Sequence, residues 1–343
     1  MKTTIAVIAT ALVLAGCSGR SAPPAPVAAN DRVQVRVVWD EVDAAAEILN
    51  EQLAGRRPDS LHWRRLFSSE GYQRLKQREL GMGRAFTDSA FRAFLTSDSL
   101  RFRGRTLLST VSAWRRVNYT APAAGVLHFL PAGTRIRANL YPQIKPATNS
   151  FVFRGDSVPG IFIYIDPVME RRELENTVAH ELHHIGFEDG CPYQPDTTIA
   201  LPLRTMYRRL WAFGEGLAMF AAAGGAGVHP QAARQPIEGE IWDRNIARIG
   251  EGFSGIETFI RDVLEGRVTS VDSISRAAFS FYGEQGPWYT VGWYMADAIE
   301  RARGRDALIA VMCRPRSLMM AYNAVAPAGA PRWNDAVLSR LPQ

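Results

Sequence analysis

From Asp40 to about Tyr119 apolar residues return at helical spacing. Val42, Ala45, Ala46 and Leu49 form one stripe, and Leu61, Leu66 and Leu75 belong to the next helix. Phe91, Phe94 and Leu95 mark a third, and Leu107, Leu108, Val111 and Trp114 a fourth; their aromatic members read as core. The period then changes. Thr134 to Tyr141 alternates as a strand with one wet face does, and with Phe151 to Phe153 and Ile161 to Ile165 it predicts a small sheet. After Gly227 helical spacing resumes over Ile237 to Leu264 and Pro287 to Ala302. Internal repeats, coiled-coil heptads and phosphate-cradling glycine motifs are absent. The pattern predicts a predominantly helical α+β fold.

The stretch from Gly160 to Gly190 reads as strand, cap, helix and stop. Asp166 is the expected N-cap with Pro167 at the first helical position. Glu170 and Glu173 load the first turns with negative charge, and Gly186 and Gly190 offer stops. Projected at about 100° per residue, Leu174, Val178, Leu182 and Ile185 form the face that buries. Thr177, His180, Glu181, His184 and Glu188 fall opposite.

That polar face carries His180-Glu181-Leu182-His183-His184, an H-E-x-x-H pattern. Two imidazoles one turn apart converge on one ion, and the carboxylate of Glu181 points aside, towards a metal-activated water. His183 projects about 60° from His180 and about 100° from His184, which gives it a supporting or solvent-facing role. A catalytic zinc takes a third protein ligand. The pattern with a further His six residues on is excluded, because Phe187 stands at its Gly position and Gly190 at its last. Glu215 is the expected third ligand, the lone acidic residue between Asp196 and Glu238. Arg208 and Arg209 are alternative partners for it, seven and six residues upstream, too far for i, i+4 pairing. Glu188 and Asp189 compete for the ion but need a sharp chain reversal to reach it.

H-E-x-x-H followed some thirty residues later by a helical Glu resembles the gluzincin metallopeptidases. The local wording is similar to uncharacterised bacterial zinc-dependent peptidases over roughly residues 125 to 310. It is carried by Thr177 to His184, by Gly214-Glu215-Gly216-Leu217-Ala218 and by Tyr289-Thr290-Val291-Gly292. The resemblance implies a zincin-like core over residues 125–343, with zinc on His180, His184 and Glu215 and Glu181 as general base. It further implies that an edge of the sheet can pair with an extended substrate. Tyr289 is the oxyanion donor it suggests, with Tyr282 and Tyr207 as rivals. The thermolysin sequence N-E-x-x-S-D is missing around Glu215, so no substrate class carries over.

Residues 1–16 read as a signal peptide, with a short apolar run too brief to span a bilayer. Leu14-Ala15-Gly16-Cys17 resembles a bacterial lipobox, which implies lipidation of Cys17. Residues 17–38 become a flexible tether, and residues 39–124 a helical N-terminal region. The expected location is the cell envelope, as a lipoprotein of the outer membrane facing the periplasm or the cell surface. Cys191 and Cys313 remain, either as a disulfide suited to an exported protein or as two buried thiols. The net charge of +6 comes mostly from scattered arginines, and export argues against nucleic acid as a partner. Three readings stand: a membrane-anchored zinc peptidase acting on peptides or proteins, a zinc amidohydrolase acting on a cell-wall amide, and a non-catalytic zinc-containing binding lipoprotein. Oligomeric state is not legible.

Overall fold

The computed structural model describes residues 31–155 and 157–342. The expected leader, Cys17 and most of the tether lie outside the described residues. The tether's last part does not. Val33–Val37 forms strand β1, with Val33 and Val35 buried and Gln34 and Arg36 exposed. Its alternation is strand-like, and it pairs in parallel with Ile136 to Leu140. The flexible tether therefore ends sooner than expected, because this segment supplies a buried face to the sheet.

Five helices follow: α1 (Asp40–Leu53), α2 (Ser60–Ser68), α3 (Glu70–Gly81), α4 (Asp88–Leu95) and α5 (Asp98–Trp114). The expected second helix is two. Ser69 takes extended backbone (φ −65°, ψ 145°), ends α2, and accepts a hydrogen bond from Tyr72 N on its hydroxyl to cap α3. Leu61, expected in the stripe, stays exposed. Then come α6 (Thr120–Val126), β2 (Ile136–Gln143), β3 (Phe151–Phe153), β4 (Gly160–Tyr164) and α7 (Arg171–Gly190). The sheet runs β1-β2-β4-β3, parallel throughout except for the antiparallel edge strand β3.

Helices complete the chain: α8 (Leu201–Arg209), α9 (Gly214–Ala223), α10 (Pro236–Ala247), α11 (Ile249–Leu264), α12 (Val271–Ser280), α13 (Pro287–Arg303), α14 (Arg305–Met312), α15 (Pro315–Asn323) and α16 (Asp335–Leu338). The fold is α+β and predominantly helical. The long helix expected over Ile237 to Leu264 breaks at Arg248. One hydrophobic core extends from Val33 to Leu341, so the N-terminal helices share it with the rest of the chain. No described helix is long and apolar enough to cross a membrane.

Helix α7 begins four residues later than its sequence suggests. Asp166 does not cap it. Its carboxylate accepts from Val168 N at 3.0 Å and its carbonyl from Met169 N at 3.2 Å, closing a turn around Pro167. Glu170, with extended backbone, is the N-cap instead, so only Glu173 of the expected pair lies in the first turn. Nor does Gly186 stop the helix. A Cβ there would lie 2.4 Å from Leu130 Cδ1 and 3.1 Å from Ile136 Cγ1, so its bare backbone lets α7 press on the start of β2. Beyond the helix, Cys191 and Cys313 form a disulfide across 122 residues of sequence. Closing a loop of that length stabilises a fold by about 3–5 kcal/mol in the chain-entropy view, and it pins the end of α7.

At the other end of the parallel strands Glu41 is fully buried. One of its oxygens accepts from Ile144 N at 3.3 Å and the other has no partner among the described residues. Burial pushes this carboxyl up to about 8 from 4.5. The folded chain therefore holds a proton that the unfolded chain releases, and stability falls as pH rises from about 4.5 to about 8. Glu41→Gln should flatten that slope and raise stability at pH 8 by on the order of 1–3 kcal/mol, read as melting temperatures between pH 5 and 8. A wild-type slope in the variant would exclude Glu41 as its source. The buried ammonium of Lys145, pushed down to about 8, adds its own dependence only above that pH.

Candidate metal centre

His180 and His184 stand one turn apart in the middle of α7, where the face read as polar is covered by α9. Glu215, in the first turn of α9, meets both. The two imidazole Nε2 atoms are 3.0 Å apart, and Glu215 Oε2 lies 3.0 Å from His184 Nε2 and 3.3 Å from His180 Nε2. Among the described residues these three form the one group of His, Cys, Asp and Glu atoms close enough to share an ion.

The donor set fits zinc. Ligands about 2.0–2.2 Å from a tetrahedral ion stand about 3.3–3.5 Å apart, close to the spacing here. Burial raises the Glu215 carboxyl, but the charge of His184 and hydrogen bonds from both imidazoles outweigh it and hold the group well below the usual carboxylate range. Burial likewise lowers His184, and the Glu215 charge more than restores it. An ionised carboxylate beside two imidazole nitrogens in a partly buried site can take a metal cation in place of the imidazolium charge. Two nitrogens and one carboxylate oxygen suit zinc, with one position left open. His180 Nδ1 has no hydrogen-bond partner among the described residues. Its ring is flanked instead by Tyr289, with centroids 6.5 Å apart and planes 21° from parallel.

Tyr289 owes this place to a helix crossing. A Cβ on Gly216 would lie 2.2 Å from Trp293 N and 2.5 Å from Tyr289 O, and one on Gly292 would lie 2.6 Å from Phe213 O. Backbone therefore meets backbone where α9 crosses α13. Gly216 follows Glu215 directly, and Gly292 sits one turn after Tyr289, so the crossing brings phenol and carboxylate together. Burial, then the negative charges of Glu215 and Glu181, hold the Tyr289 phenol well above its ordinary value, so it keeps its proton. Tyr282 faces Tyr289 at 6.3 Å between centroids. Tyr207, the other rival, is buried beside Tyr193, Arg314 and Arg316 instead.

Glu181 stays outside the three-atom cluster, half-buried, and its charge is felt at both His184 and Tyr289. The competitors are engaged elsewhere: Glu188 pairs with Arg154, and Asp189 accepts from Arg135 N at 2.7 Å. Neither upstream arginine pairs with Glu215. Arg208 lies over the Tyr193 ring, and Arg209 donates to Ser275 Oγ. His183 departs from expectation. It is fully buried and stacked beside Phe187 at 6.0 Å, with neither ring nitrogen hydrogen-bonded among the described residues, and burial holds it neutral. Its direction on the helix points into the layer under α9, so it neither faces solvent nor supports a ligand through a hydrogen bond. Sequence reasoning missed Arg154, which lies just beyond the edge strand β3 and whose charge reaches His184. No local pattern marks it, because the sheet alone brings it to α7.

No curated protein and no solved structure matches this chain. A family profile does, over residues 118–328, more than half of the chain and a span that holds His180, Glu181, His184, Glu215 and Tyr289. With that span matched and a partly buried His-His-Glu cluster inside it, the chain belongs to the family described as "Putative zinc dependent peptidase (DUF5700)".

Proposed function

We propose that this protein is a zinc peptidase of gluzincin type in which His180, His184 and Glu215 hold the ion and Glu181 is the general base. The observation that carries the reading is the convergence of three donor atoms from α7 and α9, with Glu181 beside them and outside the ligand set. A small sheet with an antiparallel edge strand next to α7 supports a zincin-like core. Zinc held there would supply a Lewis acid for the scissile carbonyl and would lower the pKa of water towards neutrality. Glu181 takes the proton of the attacking water and delivers it to the leaving amine. Tyr289, kept protonated, donates to the oxygen on which negative charge develops.

The test is zinc content together with an unbiased peptide-library digest. Wild type should carry zinc and cut peptide bonds, and Glu215→Ala should lose most of its zinc and its turnover. Full zinc retention in Glu215→Ala would mean a different third ligand.

The same proposal places the catalytic body on a membrane of the cell envelope through lipid on Cys17, after cleavage of residues 1–16. The lipobox-like Leu14-Ala15-Gly16-Cys17 supports it. Labelled palmitate should enter the full-length protein in cells and be lost in Cys17→Ser, and equal labelling of both would remove the anchor from the reading.

A further inference from the structure

Between α8, α12 and the loop after the disulfide lies a cavity of about 360 Å³, lined by Tyr193, Arg204, Thr205, Arg208, Arg209 and Ser275 among others and by no acidic side chain. Three guanidiniums thus share one small hollow. Arg209 donates to Ser275 Oγ at 2.9 Å and Arg208 lies over the Tyr193 ring at 5.4 Å, but none of the three has an ion pair among the described residues. Elsewhere many arginines do, as Arg36 with Glu70, Arg154 with Glu188 and Arg301 with Asp297. The nearby Asp196 turns its carboxylate to Thr198 instead. The charge of Arg204 reaches Asp196 without an ion pair, so the hollow keeps an excess of positive charge, and a further anion entering it is attracted.

The hollow neighbours the metal centre, because the phenol of Tyr282 feels the charges of both Arg209 and Glu215. Arg209 ends α8, and the 3₁₀ turn Leu210–Phe213 leads straight from it to Glu215. Ser275 lies on α12, whose chain continues to Tyr282. Tyr282 faces Tyr289 at 6.3 Å, and Tyr289 flanks His180 at 6.5 Å.

On the reading of the site given above, we infer that this arginine hollow is a substrate subsite that takes a carboxylate of the bound peptide some residues away from the scissile bond. A planar guanidinium fork matches a carboxylate in two parallel hydrogen bonds, and Thr205 and Ser275 offer hydroxyls beside it. The carboxylate has two sources, an acidic side chain or the peptide's own C-terminus. A hollow that takes only the C-terminus makes the enzyme release short C-terminal pieces. One that takes Glu or Asp makes it an acid-directed endopeptidase.

The test uses zinc-loaded Glu181→Gln protein and fluorescent alanine-based nonapeptides, N-acetylated, with Glu or Gln scanned through every position. Each is made with a free and with an amidated C-terminus, and affinity is read by fluorescence anisotropy. We expect the acidic member of at least one pair to bind about tenfold or more tighter than its neutral partner. We also expect that difference to vanish in the Arg204→Gln/Arg208→Gln variant and to shrink at high salt. A preference confined to free C-termini assigns the hollow to the terminus, and one confined to a Glu position assigns it to a side chain. Equal affinity across all pairs, no binding of any peptide, or a preference that survives in the double variant overturns the subsite. This readout is binding without turnover, so failure of the cleavage reading shows separately, as an absence of products from wild-type protein in the library digest.

Discussion

Glu181→Gln is expected to keep the wild-type zinc content and to lose peptide turnover by about 10²–10⁴-fold, the usual contribution of a positioned general base. Gln preserves shape and a carbonyl oxygen but cannot accept the proton. The three donor atoms close enough to share an ion are those of His180, His184 and Glu215, and Glu181 is not among them. Metal content should therefore be indifferent to the change while turnover is not. The measurement is metal analysis of the purified variant beside progress curves on one peptide from the library digest. Unchanged turnover would sink the mechanism, and loss of zinc with turnover would turn Glu181 into a ligand.

Gly216→Ala should destabilise the fold by about 3 kcal/mol or more, at the upper end of the cost of overpacking a closed contact, and weaken zinc binding with it. The added methyl would meet Trp293 N at 2.2 Å and the backbone of Gly292 and Tyr289 at 2.5 Å. Those are backbone atoms of α13, with no rotamer to give way, so α9 and α13 must separate. Separation carries Glu215 away from α7 and Tyr289 away from His180, because each lies within one turn of the crossing. Thermal unfolding and zinc content measure the two effects. Gly250→Ala, where nothing lies within 4 Å of the added atom, is the matched control and should melt as wild type or higher. A wild-type melt and full zinc in Gly216→Ala would mean that the crossing does not hold the site together.

Much of the site's geometry follows from local rules. Residues 180 and 184 fall on one side of a helix because i and i+4 always do, and that needed only the apolar stripe of Leu174, Val178, Leu182 and Ile185. Glu215 stood out because a lone carboxylate in an apolar helix wants a cationic partner. Errors cluster where a choice depended on something distant. Asp166 looks like a cap, and it closed a turn instead because the chain bends there between β4 and α7. His183 looks polar and sits dry. Val33–Val37 alternates like a strand, but a five-residue strand is stable only with a neighbour, and its neighbour lies a hundred residues on.

The chain by itself determined the helical periods, the switch to strands before α7, and the paired histidines with a carboxylate between them. Each is set by spacing within a few residues, where backbone geometry leaves one answer. Tertiary structure decided the rest. It took Glu188 and Asp189 out of contention by giving them Arg154 and a backbone amide. It joined Cys191 to Cys313, and it put Tyr289 beside His180 through two glycines 76 residues apart. Those outcomes rest on close packing between segments remote in sequence, and such packing leaves no periodic trace in either segment.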